Sequence, residues 1–205
     1  MRDFLSGILV LAWLFLFSGC GSYLPTEYYL IRVSPVLAIE AEVLPLRIDV
    51  SAVRAPLRYQ KEMVFRRGDY QVGFYEHSKW AASPSEMVRR ALIDALNRSE
   101  LFSQVDLIGR NSEADLSLQA ELESFDQVID GDDLRAEFSL LLEAVRTDTG
   151  SPVWSYRASA KVPQKGEGQL AAAMSQAVGE ALGSAIREMG KSKELRCLVP
   201  QAKLE

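Results

Sequence analysis

Histidine occurs once and cysteine twice in this 205-residue chain, and those scarcities remove whole classes of chemistry at the outset. His77 alone cannot supply a repeated histidine pair or a histidine-rich zinc site, which need several converging ligands. The sequence also lacks a Gly-x-Ser-x-Gly elbow and a Cys-x-x-Cys pair, so the commonest hydrolase and thiol-redox signatures are missing. Gly190-Lys191-Ser192 resembles the end of a phosphate-binding loop. However, Ala185 stands where the loop needs its first glycine, and the triplet follows a predicted helix instead of preceding one. It reads as a helix stop. A basic excess is missing too: the formal charge is −5, which argues against nucleic acid and against direct adsorption to anionic headgroups. Asp126, Asp130, Asp132 and Asp133 suggest calcium, yet the closing glutamate of a binding loop is not in place, and Glu137 does not fill it. These aspartates are expected in a solvated hairpin bend, and Arg67-Gly68-Asp69 in another turn.

What the chain does have is one hydrophobic run, Phe4 to Phe17. It is too short to cross a bilayer, which takes roughly 20 apolar residues, and it reads as the core of a signal peptide. The run closes on Phe17-Ser18-Gly19-Cys20, which resembles the bacterial lipobox, with Phe17 in the place usually held by leucine. Residues 1–19 are therefore expected to be a lipoprotein signal peptide, cut between Gly19 and Cys20. Cys20 then carries diacylglyceryl lipid on its sulfur and an acyl chain on its new amino group, and no other cofactor is expected. The lipobox resemblance brings a sorting rule: Gly21, where aspartate would retain the protein at the inner membrane, implies outer-membrane localisation, lipid-anchored and facing the periplasm. Residues 20–26 form a short tether, residues 27–190 one domain, and residues 191–205 a polar tail expected to fray. With Cys20 acylated, Cys197 has no partner within the chain, and its default reading is a tucked-in small hydrophobe.

The body reads as strands and two long helices. Tyr28 to Val33 is expected as a first strand, and Leu46, Ile48 and Val50 alternate with polar residues in a second. Met63 to Arg66 and Tyr70 to Tyr75 form a hairpin. Ser83-Pro84-Ser85-Glu86 starts a helix by a capping box, burying Val88, Leu92, Ala95 and Leu96. From Ala114 the period drops to two across long strands, with Leu116, Leu118, Ala120 and Leu122 facing in, then Leu134 to Leu142, then Val153 to Val162. A helix from about Gln169 to Met189 buries Leu170, Met174, Val178, Leu182, Ile186 and Met189. The expected class is α+β, a single two-layer domain with a mainly antiparallel sheet and two main helices packed on one side. Tyr70, Phe74, Tyr75, Trp80, Trp154 and Tyr156 could line a lipid groove or docking surface, but large aromatics mostly build cores, and packing is the reading for most of them.

One order of landmarks remains. The lipobox is followed by Tyr28-Tyr29-Leu30, Val53-Arg54-Ala55-Pro56-Leu57-Arg58-Tyr59, Met63-Val64-Phe65-Arg66, Trp80 with Pro84, Leu96 to Phe102 and Val105, and Ala114-Asp115-Leu116 with Phe125. This set resembles the ABC-type transport auxiliary lipoproteins, the PqiC-like family. The resemblance implies a non-enzymatic partner in lipid transport, docking or receiving the outer-membrane end of a channel built by an MCE-domain protein with its ABC permease and ATPase. It leaves room for a homo-oligomer. Arg54, Pro56, Leu57, Tyr59 and Trp80 are the candidate partner contacts. The alternative is a stand-alone lipid-binding carrier or envelope assembly lipoprotein with an acyl cavity of its own.

Overall fold

The computed structural model describes residues 24–34, 42–107, 114–164 and 169–198. Gly19, Cys20, the signal segment, most of the loop after Ser34 and the last residues of the tail lie outside the described residues. Eight strands form one sheet: β1 (Glu27–Tyr29), β2 (Leu44–Arg54), β3 (Glu62–Arg67), β4 (Gln71–Trp80), β5 (Phe102–Leu107), β6 (Leu116–Asp130), β7 (Asp133–Arg146) and β8 (Pro152–Pro163). Among the described residues three helices accompany it, α1 (Pro84–Ser99), α2 (Leu170–Lys191) and the short α3 (Lys193–Cys197). The α+β domain expected from the sequence is present, with α1 on β2 and β5, α2 on β7 and β8, and the two helices touching.

β6 organises the sheet. Along one edge it pairs antiparallel with β7 from Leu116↔Arg146 to Asp130↔Asp133, and β7 pairs antiparallel with β8. Along the other edge two strands share it: β2 runs parallel to its first half (Ile48↔Leu116 to Arg54↔Glu121) and β3 parallel to its second (Val64↔Asp126 to Arg67↔Ile129). β5 lies parallel outside β2, β4 antiparallel outside β3, and β1 parallel at the end of β4. The long ladders are antiparallel, as expected, and the forked edge is largely parallel. Parallel neighbours need crossovers, and here α1 and the β3–β4 hairpin supply them. The fork coincides with a register shift between Leu122 and Ser124, a bulge that adds a residue and turns the following side chains over.

The core lies between sheet and helices. Leu118, Leu122, Phe138, Leu140 and Leu142 face Met174, Val178, Leu182 and Ile186, all buried; full burial of such side chains contributes about 1.5–3 kcal/mol each. Phe125 stands edge-on to both Trp80 and Phe138, at centroid distances of 5.1 and 6.2 Å. The helix stripes fall where the spacing predicts, since every apolar position named for them is buried.

Four local expectations are corrected. Ser83 caps α1 by accepting from the Glu86 amide at 3.4 Å, but the Glu86 carboxylate bonds Arg90 at 2.8 Å and does not return to the cap. β1 ends at Tyr29 because the chain then crosses to α2, where the Arg32 amide donates to Ser175 Oγ at 2.9 Å. The tail is ordered through Leu198: Ser192 caps α3 by accepting from the Leu195 amide at 3.2 Å, and the Leu195 side chain is buried. Cys197 is exposed on that short helix, so it is not a core residue.

Candidate partner-docking site

The loop between β2 and β3 owes its shape to groups beneath it. Its turn closes where the Tyr59 amide donates to the Pro56 carbonyl at 3.0 Å. The bulge on β6 then provides acceptors: Arg58 donates to the Glu123 carbonyl at 3.2 Å, and its guanidinium lies 4.4 Å from the centroid of the Tyr59 ring. The Tyr59 hydroxyl reaches inward and donates to Asp126 Oδ1 at 2.8 Å. At its far end the loop is fastened by the Trp80 amide, which donates to the Lys61 carbonyl at 2.6 Å.

Asp126 is the hub of this arrangement and is fully buried. Its second oxygen accepts from Arg66 Nε at 2.7 Å, while Arg66 also bonds Glu137, which in turn pairs with Lys161 at 2.9 Å and Arg135 at 3.2 Å. Burial raises the Asp126 carboxyl above its ordinary value, and the Tyr59 hydroxyl and Arg66 guanidinium offset only part of that. Burial also acts to raise Glu137, but hydrogen bonds from Lys161, Arg135 and Arg66 outweigh it and hold the group low. The Tyr59 phenol is pushed up to about 12, first by burial and then by the Asp126 charge. It therefore stays a donor at any physiological pH. A charged group this deep persists only with partners that answer its hydrogen-bonding capacity, and here the β2–β3 loop and strand β3 supply them through Tyr59 and Arg66.

The five residues singled out from the sequence divide into two groups. Tyr59 and Trp80 are 2% and 1% exposed, so they support the loop from below and present no surface to a partner. That is a correction, and its cause is the inward hydroxyl bond of Tyr59 and the Phe125 contact of Trp80. Arg54, Pro56 and Leu57 form the accessible ridge: Leu57 is 87% exposed, and Arg54 pairs with Glu121 at 3.2 Å along the rim. A shallow depression of about 490 Å³ beside it is lined by Val53, Pro56, Leu57, Gln60 and Ser85.

Asp126 is the residue sequence reasoning misplaced. Expected in the solvated bend, it lies on the sheet face away from the helices, to which the bulge after Leu122 turns it, and it is buried there beneath Tyr59 and Arg66. Asp130, Asp132 and Asp133 do sit at the bend. Among the described residues no group of three or more His, Cys, Asp or Glu side chains is placed to hold a metal ion, and no helix is long and apolar enough to cross a membrane.

A second cavity, also about 490 Å³, opens on the helix side of the β3–β4 flank. Tyr29, Met63, Arg67, Tyr75, Gln127 and Leu170 line it. Its floor is polar: Tyr75 bonds Gln127, which donates to Gln164 at 2.7 Å.

The family described as ABC-type transport auxiliary lipoprotein component matches residues 28–185 of the chain. Among solved structures, a protein of Xanthomonas campestris is similar with a TM-score of 0.70 at 17% identity, over 82% of this chain and 100% of that one. A second, uncharacterized protein is similar with a TM-score of 0.64 at 14% identity, over 81% of this chain and 99% of that one. At these identities the two structures establish the shared fold. No curated protein matches in sequence.

Proposed function

Since the chain belongs to the family of ABC-type transport auxiliary lipoprotein components, we propose that it is acylated on Cys20, anchored at the periplasmic face of the outer membrane, and docks or receives the outer-membrane end of an MCE-domain channel. The MCE protein works with an ABC permease and ATPase, and this chain contributes no reaction of its own. The supporting observation is the exposed Arg54–Pro56–Leu57 ridge, held from beneath by Tyr59 and Asp126. A loop already fixed in shape has little conformational freedom left to lose on binding. The anchor confines the body to the membrane surface, which raises its effective concentration near any partner there, so a modest contact suffices.

The variant that tests this changes the ridge and spares its supports: Arg54→Glu combined with Leu57→Ser. Titration of the MCE protein against the soluble body should show affinity falling by at least about tenfold, the scale of a contact residue. Unchanged affinity in a variant that melts like the parent removes the ridge from the interface.

The carrier alternative has one observation in its favour, the cavity lined by Tyr29, Met63 and Leu170, whose size lies in the range of small-ligand sites. The hydrogen-bonded Gln127 in its floor suits an acyl chain poorly. Lipid extracted from purified protein lacking Cys20 would favour the carrier over the scaffold.

A further inference from the structure

The β3–β4 hairpin places apolar side chains where a soluble fold would put polar ones. On the face of β4 turned away from the helices, Val72 is 46% and Phe74 52% exposed, and Tyr70 at the turn is 95% exposed. On the opposite face the hairpin is stiff. The Phe65 ring covers Gly73 so closely that an added Cβ would collide with it, and Tyr75 meets Phe65 edge-on at 5.3 Å. The row is thus displayed on a rigid finger, and an isolated apolar row of this kind marks a contact surface.

The direction of the amino-terminal chain says what that contact is. β1 runs parallel to β4 with Glu27 opposite Ser78, so its beginning points back along β4 towards the hairpin turn. Seven residue steps separate Cys20 from Glu27, an extended reach of roughly 25 Å at most. Seven steps also separate Ser78 from Gln71 at the turn, at most about 24 Å along a strand. A lipid on Cys20 can therefore lie level with Tyr70, at the same end of the molecule.

We propose that the hairpin tip, through Tyr70, Val72 and Phe74, is a second membrane contact that seats in the headgroup region of the leaflet holding the anchor and fixes the orientation of the body on it. This rests on acylation of Cys20. Tyr70 suits the position because its ring is apolar and its hydroxyl reaches water, the property that concentrates tyrosine at membrane interfaces. The charges nearby define the lipid. Arg67 and Asp69 offset each other at the tip, and in the neighbouring bend Arg135 pairs with Asp130 at 3.9 Å, leaving Asp132 and Asp133 as its acidic excess. A zwitterionic surface is the match, and anionic lipid weakens the contact. Seated this way, the body is held by two points, and the Arg54–Leu57 ridge keeps one direction relative to the membrane.

The test uses the acylated full-length lipoprotein reconstituted into vesicles of phosphatidylethanolamine and phosphatidylcholine with brominated acyl chains. Tyr70→Trp adds an emitter at the tip and Leu57→Trp adds one at the ridge, each read against the parent, whose Trp80 and Trp154 supply the background. The tip emission should shift to the blue and lose most of its intensity to bromine quenching, while the ridge emission stays unquenched. Phe74→Glu in the Tyr70→Trp protein should restore the intensity. Protein that carries acyl label and floats with vesicles, yet shows no quenching at the tip, overturns the contact and leaves the anchor standing. Protein that takes no acyl label overturns both. Tip quenching absent, together with soluble oligomers that Phe74→Glu disperses, assigns the row to a second copy of the chain and also overturns the proposal.

Discussion

The α2 side of the molecule and the β3–β4 flank handle polarity in opposite ways. Beneath α2, strand β7 alternates cleanly: Ala136, Phe138, Leu140, Leu142 and Ala144 are buried, and the residues between them reach solvent or form ion pairs at the surface. On the flank, Asp126 and Gln127 are inside while Leu57, Tyr70 and Phe74 are outside. The first arrangement needs only the hydrophobic effect, which is roughly proportional to apolar area removed from water. The second places charge where it costs stability and apolar surface where it gains none within one subunit. The two surfaces proposed as contacts, the ridge and the tip, both lie on the inverted side.

The sharpest way to break that contrast is to damage each side once and compare. Phe138→Ala removes a ring packed between Phe125 and α2 and should destabilise the fold by about 3–5 kcal/mol, a large part of the 5–15 kcal/mol typical of a domain. Urea unfolding followed by circular dichroism measures it. If the cost is under about 1 kcal/mol, the α2 side is not the packed core described here. Asp126→Asn is the matching change on the flank. It keeps the shape of the side chain but turns one of two acceptor oxygens into a donor, so either the Tyr59 hydroxyl or Arg66 Nε loses its buried acceptor, at a cost of about 1–3 kcal/mol. It should also loosen the Arg54–Leu57 loop, seen as faster amide exchange at Arg58 and Tyr59. Stability lost without faster exchange would mean that Asp126 does not hold the loop.

The same contrast governs what could be read from the residues alone. Alternation in β6, β7 and β8 and the stripes of α1 and α2 were legible because each is a local pattern, repeated every two residues or every three to four. Tyr59 and Trp80 look like surface candidates because one closes the Arg54 to Tyr59 loop and the other ends the expected hairpin. Their burial is decided by Asp126 and Phe125, dozens of residues away. The parallel pairing of β3 with β6 has no local signature, and neither has the bulge at Glu123, so the burial of Asp126 beneath the β2–β3 loop could not be foreseen. Phe74 and Tyr70 read as core because aromatics usually are, and only the fold reveals that they stand exposed among the described residues.

Asp49 gives the finest test, because it is a buried carboxylate without the network that Asp126 has. It is 5% exposed on β2, in register with Asp106 of β5, and its Oδ1 has no hydrogen-bond partner among the described residues. Burial first, and then the Asp106 charge, push its pKa above the ordinary value of 3.8. The folded state therefore binds this proton more tightly than the unfolded chain does. Stability linked to Asp49 is fully present below pH 3.8 and is lost as pH rises through the folded pKa. Asp49→Asn removes the charge at constant shape, so at neutral pH it should stabilise the fold by up to about 1 kcal/mol, the lower end of the cost of an unanswered buried polar group. Thermal melts of parent and variant from pH 3 to pH 8 should converge at the acid end and separate on the neutral side. A variant that melts lower than the parent at neutral pH would show that the Asp49 charge is answered after all, and that the polar groups of β2 belong with the Asp126 network.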